Sequence, residues 1–143
     1  MAAFKPLSGG LRFMLEIKIK DPLQKSLERA RPRYVTFWRS GATATVLRAN
    51  LEALRDLYVT GGFSAGTAKQ QGKLDTRIRN GFAQALAILA GIDMPIKDAV
   101  KDRAARVQLE RLVAVLENLW KQIAFGSAKT LGLSVGFNEF DGD

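Results

Sequence analysis

Apolar residues recur at helical spacing in three long stretches of this sequence. They predict helices over residues 44–59, from Lys73 up to a break at Gly91, and over residues 98–125. The apolar stripes are Leu47, Leu51, Leu54 and Tyr58; then Leu74, Ile78, Phe82, Ala85 and Leu89; then Leu109, Leu112, Val113, Leu116, Leu119, Trp120 and Ile123. Long amphipathic helices joined by short connections favour antiparallel neighbours. The sequence therefore predicts an all-α fold, an antiparallel up-down helical bundle.

Three features depart from this simple pattern. Residues 12–20 alternate between apolar and polar positions, which predicts a short strand, and Asp21-Pro22 then predicts the start of a short helix. The glycine-rich stretch 61–72 predicts a loop. Gly81 lies inside the second predicted helix, where glycine costs about 1 kcal/mol relative to alanine. We expect another helix to pack closely against Gly81.

Composition narrows the chemistry that the chain can perform. The 143 residues suit one domain. The formal net charge of +8 makes nucleic acid, an anionic membrane surface or an acidic protein candidate partners. The chain has no histidine and no cysteine, so serine–histidine and cysteine–histidine nucleophiles and thiolate metal ligands are excluded. The sequence contains no run of about 18 apolar residues, so no membrane span is predicted. The N-terminal residues lack the pattern of a signal peptide.

Two segments carry candidate binding chemistry. The stretch RPRYVTFWRS (31–40) interleaves arginines with Tyr34, Phe37 and Trp38, which could stack bases, although aromatic rings at helical spacing favour a place in the core. The C-terminal segment offers oxygen ligands for a hard cation on Asn138, Glu139, Asp141 and Asp143. It ends too soon for a complete calcium loop, so by itself it favours a solvated tail.

The same C-terminal segment, LGLSVGFNEFDGD (131–143), resembles the closing segment of imelysin-like proteins, also called peptidase M75. Those chains end on a GFN-x-x-DGD pattern, which is present here at residues 136–138 and 141–143. The stretches FWRSG (37–41), LRANLEALRDLY (47–58) and LDTRIRNGF (74–82) are similar to the C-terminal half of that family, in the same order. The resemblance covers residues 29–143 and leaves residues 1–28 as a non-matching leader or short element.

The resemblance implies a fold of two related helical bundles, of which this chain is the C-terminal half. It implies a bacterial cell-envelope protein, periplasmic or lipid-anchored, associated with iron uptake. Peptidase activity has been ascribed to the family, whose GxHxxE motif supplies the proposed metal ligands. A chain without histidine cannot contain that motif. We therefore expect no catalysis and no cofactor in this chain alone, whereas the full-length protein would hold a metal ion, with iron as one choice.

These observations lead to one preferred function and two alternatives. We expect a non-catalytic binding or scaffolding half that pairs with the missing N-terminal half, or with a second copy through an exposed bundle face. Its candidate cleft residues are Arg39, Ser40, Asn138, Asp141 and Asp143, with no residue assigned to a metal. The alternatives are a basic nucleic-acid-binding helical domain, which we disfavour, and part of a metal-dependent peptidase.

Overall fold

The computed structural model describes residues 3–133, and helices dominate this part of the chain. In chain order the α-helices are α1 (Phe4–Phe13), α2 (Asp21–Leu23), α3 (Thr43–Thr60), α4 (Phe63–Ala90), α5 (Ile96–Ala99), α6 (Arg103–Lys121) and α7 (Ala128–Thr130). Two π-helical segments (Met14–Lys20 and Gln122–Ser127) and two 3₁₀ turns (Leu27–Arg29 and Pro32–Tyr34) complete the set. Residues 3–133 contain no strand, so the predicted all-α fold is confirmed.

The strand predicted over residues 12–20 is wrong. α1, the first π-helical segment and α2 follow one another without a break and form one N-terminal helix. The two-residue alternation was misleading because Phe13 and Ile17 are exposed, whereas the buried residues Leu11, Leu15 and Ile19 recur every four positions. Asp21-Pro22 does not start a separate helix, because α2 continues the preceding π-helical segment and ends at Leu23.

Contacts between α4 and α6 show that these helices run antiparallel. Gly81 on α4 lies against Leu119 of α6, where an added Cβ would be only 3.0 Å from Leu119 Cδ1. Gly126, further along the chain, lies against Leu74, which precedes Gly81. The close helix contact predicted at Gly81 is therefore confirmed. The third predicted helix, over 98–125, is instead divided into α5, α6 and a π-helical segment.

The N-terminal helix is antiparallel to both α3 and α6. Gly10 packs against Leu54 of α3, and Phe4 meets Phe63, just beyond the end of α3, with ring centroids 5.4 Å apart. Lys20, at the other end, pairs with Glu117 of α6 at 3.1 Å. The four long helical elements thus form the up-down bundle that the sequence predicts. Residues 3–133 contain no helix that is long and apolar enough to cross a membrane.

Helix α4 bends sharply at Gln71, whose φ and ψ are −143° and 75°. The bend lets Ser64 Oγ reach Asp75 Oδ1 at 2.6 Å, although eleven residues of a straight helix would span about 16 Å. The loop predicted over 61–72 is wrong, since the helix already begins at Phe63. The helix start predicted at Lys73 lies two residues after this bend. The first part of α4 contacts the start of the N-terminal helix through Phe63 and Phe4, and it contacts the residues after α6 through Thr67 and Ser127.

The core is continuous across all four helical elements and contains the predicted stripes. Its largest fully buried side chains are Leu7, Leu11, Met14, Leu47, Leu51, Tyr58, Phe63, Ile78, Phe82, Leu109, Leu112 and Leu116. The N-terminal helix supplies part of this core. Burial of such side chains contributes roughly 1.5–3 kcal/mol each, which is the main stabilisation of the bundle.

Candidate functional site

The aromatic and basic residues of segment 31–40 lie at the surface. Tyr34 is 60% exposed and Phe37 is 55% exposed, so the predicted core role is wrong for both rings. Only Trp38 packs partly against the core, and the fully buried residue of the segment is Val35. The segment is not one regular helix: Pro32–Tyr34 form a 3₁₀ turn, and Phe37 adopts a left-handed φ of 59°. The aromatic rings therefore do not share one helix face.

Segment 31–40 forms one wall of a surface cleft of about 680 Å³, which we call the aromatic–basic cleft. The opposite wall comes from α5 and the residues around it. The cleft is lined by Arg31, Pro32, Arg33, Tyr34 and Trp38 on the first wall and by Met94, Lys97, Asp98, Lys101 and Asp102 on the second. Four cationic side chains against two carboxylates leave the cleft positively charged.

Stacking holds two arginines beside the aromatic rings of the first wall. The guanidinium carbon of Arg31 lies 5.2 Å from the Tyr34 ring centroid, and that of Arg39 lies 5.3 Å from the Trp38 ring. Such cation–π pairs contribute about 0.5–1 kcal/mol at exposed sites. Arg31 also approaches Asp21 at 3.9 Å. The arginine side chains are thus partly ordered before any ligand binds.

The buried side chain of Arg106 joins the end of the N-terminal helix to the second wall of the cleft. Its Nη2 donates to the carbonyl of Gln24 at 2.7 Å, before the first wall, and its Nη1 donates to the carbonyl of Val100 at 3.0 Å, within the second. Its Nε donates to Glu110 at 3.2 Å. Gln24 accepts this bond where a left-handed φ of 55° ends the N-terminal helix. Arg106 therefore fixes the spacing of two segments that are far apart in sequence.

The predicted residues Arg39 and Ser40 lie on the turn before α3. Both are exposed, and Ser40 Oγ donates to the carbonyl of Phe37 at 3.2 Å. Arg39 flanks the aromatic–basic cleft through its stacking on Trp38, whereas the Ser40 hydroxyl is used within the turn. The other three predicted residues, Asn138, Asp141 and Asp143, lie outside the described residues.

A second polar cluster, which sequence reasoning missed, is buried where α4 bends. Asp75 is 7% exposed, and its Oδ1 accepts bonds from Tyr58 Oη at 2.8 Å and Ser64 Oγ at 2.6 Å. Arg79 Nε lies 3.8 Å from the other carboxylate oxygen. Burial and the hydrogen bond to Asp75 raise the pKa of Tyr58 well above its usual value, so Tyr58 stays a donor. Beside them, the hydroxyls of Thr67 and Ser127 share a hydrogen bond of 2.6 Å.

This buried cluster has a structural character. Every buried side-chain nitrogen or oxygen among residues 3–133 has a hydrogen-bond partner, so no polar atom there is left over for a ligand. The described residues also contain no group of three or more carboxylate, histidine or cysteine side chains that could hold a metal ion. Asp75 could have been suspected from its place in the otherwise apolar stripe around Leu74 and Ile78.

An exposed apolar stripe runs along the N-terminal helix. Phe13 and Ile17, one turn apart, are 45% and 47% exposed. Ile17 and Val113 of α6 both line a shallow groove of about 690 Å³ between the two helices, which we call the apolar groove. Contiguous exposed apolar surface can mark an association site, and Phe13 and Ile17 are the apolar side chains that this face of the N-terminal helix offers.

Together these features define a small all-α bundle domain with a buried polar cluster, a charged cleft and an exposed apolar stripe. The model of the imelysin family (peptidase M75) matches residues 2–123, and the chain belongs to that family. The comparisons with curated proteins and with solved structures gave no match to this chain. The matched range includes the N-terminal helix and ends before the GFN-x-x-DGD segment. The domain boundary expected at residue 28 stays a prediction.

Proposed function

We propose that this chain is a non-catalytic imelysin-like domain that acts as a binding or scaffolding half within a bacterial cell-envelope protein associated with iron uptake. Membership of the family supports the envelope location, since the family suggests an extracellular or envelope setting. The absence of histidine supports the non-catalytic role, because the chain cannot supply the GxHxxE motif. Its partner is then a GxHxxE-bearing bundle, on this polypeptide or another, or a second copy of the domain.

The observation that carries the binding role is the exposed stripe of Phe13 and Ile17. Neither side chain belongs to the buried core, so both are accessible to a partner. Removing about half of the surface of each from water would stabilise a complex by about 1 kcal/mol per side chain. Lys20 and Glu117 at the edge of the same groove offer a polar rim.

Sedimentation velocity tests this role directly. We expect the wild-type domain to associate at micromolar concentration and the Phe13→Glu/Ile17→Glu variant to remain monomeric. Ala53→Glu, which changes an exposed position on α3, serves as the matched control and should behave like wild type. A monomeric wild type that neither binds an apolar dye nor retains a GxHxxE-bearing bundle would contradict the proposal.

The iron-related part of the proposal needs separate measurements. In the native host we expect the protein in envelope fractions, and we expect its deletion to slow growth only when iron is scarce. Calorimetric titration of iron and calcium ions into wild type and into an Asp141→Ala/Asp143→Ala variant tests the C-terminal carboxylates, with Asp93→Ala as the control. Equal heats for all three proteins would remove Asp141 and Asp143 from the candidate cleft residues, and Asn138→Ala tests Asn138 in the same way.

A further inference from the structure

We propose that the aromatic–basic cleft is a binding site for a small organic anion that carries an aromatic ring. This inference goes beyond the proposed function and does not depend on it. Nothing in the family match assigns a role to the cleft. The inference rests on the charge of the cleft, on its exposed rings and on its fixed walls.

Charge favours an anionic ligand. Arg33 and Lys101 extend from opposite walls and are exposed, so both can approach the same ligand. Of the two carboxylates in the cleft, Asp102 is already occupied because its Oδ1 accepts the backbone N–H of Ala105 at 2.8 Å, which caps α6. The overall charge of +8 adds a long-range attraction for anions.

The rings favour a ligand with an aromatic face. Tyr34 has 60% of its surface in water, and Trp38 lies beside it at the cleft surface, partly packed on the core. Stacking of a ligand ring on such a side chain contributes about 1–3 kcal/mol. Met94 supplies a polarisable surface on the second wall, which suits contact with a ring edge. A phosphate or carboxylate group joined to a ring would satisfy both the cations and the aromatic surface.

Shape and rigidity favour a small molecule. A volume of about 680 Å³ lies within the range of about 300–1,000 Å³ that is common for small-molecule pockets. Arg106 ties the second wall to the end of the N-terminal helix through the carbonyls of Val100 and Gln24, and the backbone N–H of Arg31 ties the first wall to the same helix end through the carbonyl of Pro22 at 2.8 Å. The cleft thus has the size of a site for a compact aromatic anion.

Tryptophan fluorescence provides the assay. The chain has two tryptophans, so a Trp120→Phe background leaves Trp38 as the single reporter, at the cleft. The probes are phenyl phosphate, adenosine monophosphate and benzoate, with inorganic phosphate and adenosine as the corresponding partial ligands. We expect saturable quenching by the aromatic anions and at least about tenfold weaker binding of the partial ligands. Tighter binding of adenosine monophosphate would identify the ligand class as nucleotides, and tighter binding of benzoate would identify it as aromatic acids.

Two matched charge variants locate the binding. Arg33→Ala/Lys101→Ala should weaken binding about tenfold or more, because it removes two cations from the cleft. Lys69→Ala/Lys73→Ala removes the same charge from exposed positions on α4 and should leave the affinity unchanged. Circular dichroism confirms that all variants are folded.

Three results would overturn the inference. The first is the absence of saturable quenching by any aromatic anion at concentrations up to about 10 mM, because a specific site should have a Kd below that concentration. The second is an equal loss of affinity in both charge variants, which would reveal general attraction to a basic protein. The third is much tighter binding of a single-stranded oligonucleotide with a steep salt dependence, which would assign the cleft to nucleic acid.

Discussion

Replacing Asp75 by alanine is the sharpest test of the buried polar cluster. The substitution removes the carboxylate that accepts the hydroxyls of Tyr58 and Ser64 at 2.8 and 2.6 Å. Both hydroxyls belong to buried residues and lose this acceptor. The prediction is that the folded domain becomes much less stable, because buried donors without partners are costly.

The magnitude follows from counting the lost bonds. Each hydrogen bond to a charged acceptor is worth about 1.5–3 kcal/mol, so two of them total about 3–6 kcal/mol. The Arg79 ion pair adds little, because its guanidinium is half exposed and 3.8 Å away. Removing the buried charge also recovers part of its desolvation cost. We therefore expect Asp75→Ala to lower the free energy of unfolding by about 3 kcal/mol.

Asp75→Asn is the matched variant, since it keeps the shape and the accepting Oδ1 while it removes the charge. We expect it to cost only about 1 kcal/mol, the difference between charged and neutral hydrogen bonds after desolvation is recovered. Urea unfolding followed by circular dichroism at neutral pH measures both values. Asp93→Ala, at an exposed position, should stay within about 0.5 kcal/mol of wild type.

Either of two results would refute the structural role of Asp75. If Asp75→Ala were as stable as wild type, or more stable, the carboxylate would be a strained group kept for binding rather than a hydrogen-bond acceptor that holds the bend of α4. If Asp75→Asn cost as much as Asp75→Ala, the charge itself and its pairing with Arg79 would dominate, and the two hydroxyl bonds would be secondary.

Three further predictions follow from single positions. Burial and the hydrogen bond to Asp75 raise the pKa of Tyr58, so above pH about 10 a tyrosine in the unfolded chain ionises while Tyr58 in the folded domain stays protonated. The free energy of unfolding should therefore fall by up to about 1.4 kcal/mol per pH unit. Tyr58→Phe should lack this part of the loss when urea unfolding is repeated at alkaline pH. Gly81→Ala should destabilise the domain by about 1 kcal/mol, because the close contact of the new methyl group with Leu119 outweighs the gain in helix propensity. Gly9→Ala should cause no loss in thermal unfolding, because no atom lies within 4 Å of the position that its Cβ would take. In urea unfolding, Phe37→Gly should be about 1 kcal/mol more stable than Phe37→Ala. The reason is the positive φ of 59° at this position, which glycine adopts without the steric cost that alanine has.

The bundle was predictable because its helices bury regular apolar stripes. Leu47 and Leu51 on α3, and Leu109 and Leu112 on α6, have the spacing that a buried helix face requires, and they are indeed fully buried. The close approach at Gly81 was also predictable, since a glycine inside a helix is best explained by a packing neighbour. Such features depend on residues within one or two turns of each other.

The elements that the sequence misassigned depend on tertiary context. The alternation at residues 12–20 suits a strand, but a strand needs a partner, and the N-terminal helix instead buries Leu15 and Ile19 against the bundle. The glycine-rich stretch 61–72 forms a helix because Phe63 and Thr67 are buried at the end of the bundle. Packing outweighed the weak helix propensity of glycine in this stretch.

The aromatic–basic cleft illustrates what a single segment cannot show. The sequence identified Arg31, Arg33 and the three rings, but not the second wall, which lies about sixty residues later at Lys97 and Lys101. Arg106, which joins the second wall to the end of the N-terminal helix, lies 82 positions from its partner Gln24 and appears in the sequence as one more charge on an amphipathic helix. A buried arginine must satisfy its donors, and backbone carbonyls at the ends of two separate segments provide the acceptors. One guanidinium thus ties the end of the N-terminal helix to the second wall of the cleft, so the placement of that wall depends on a buried side chain of the fold.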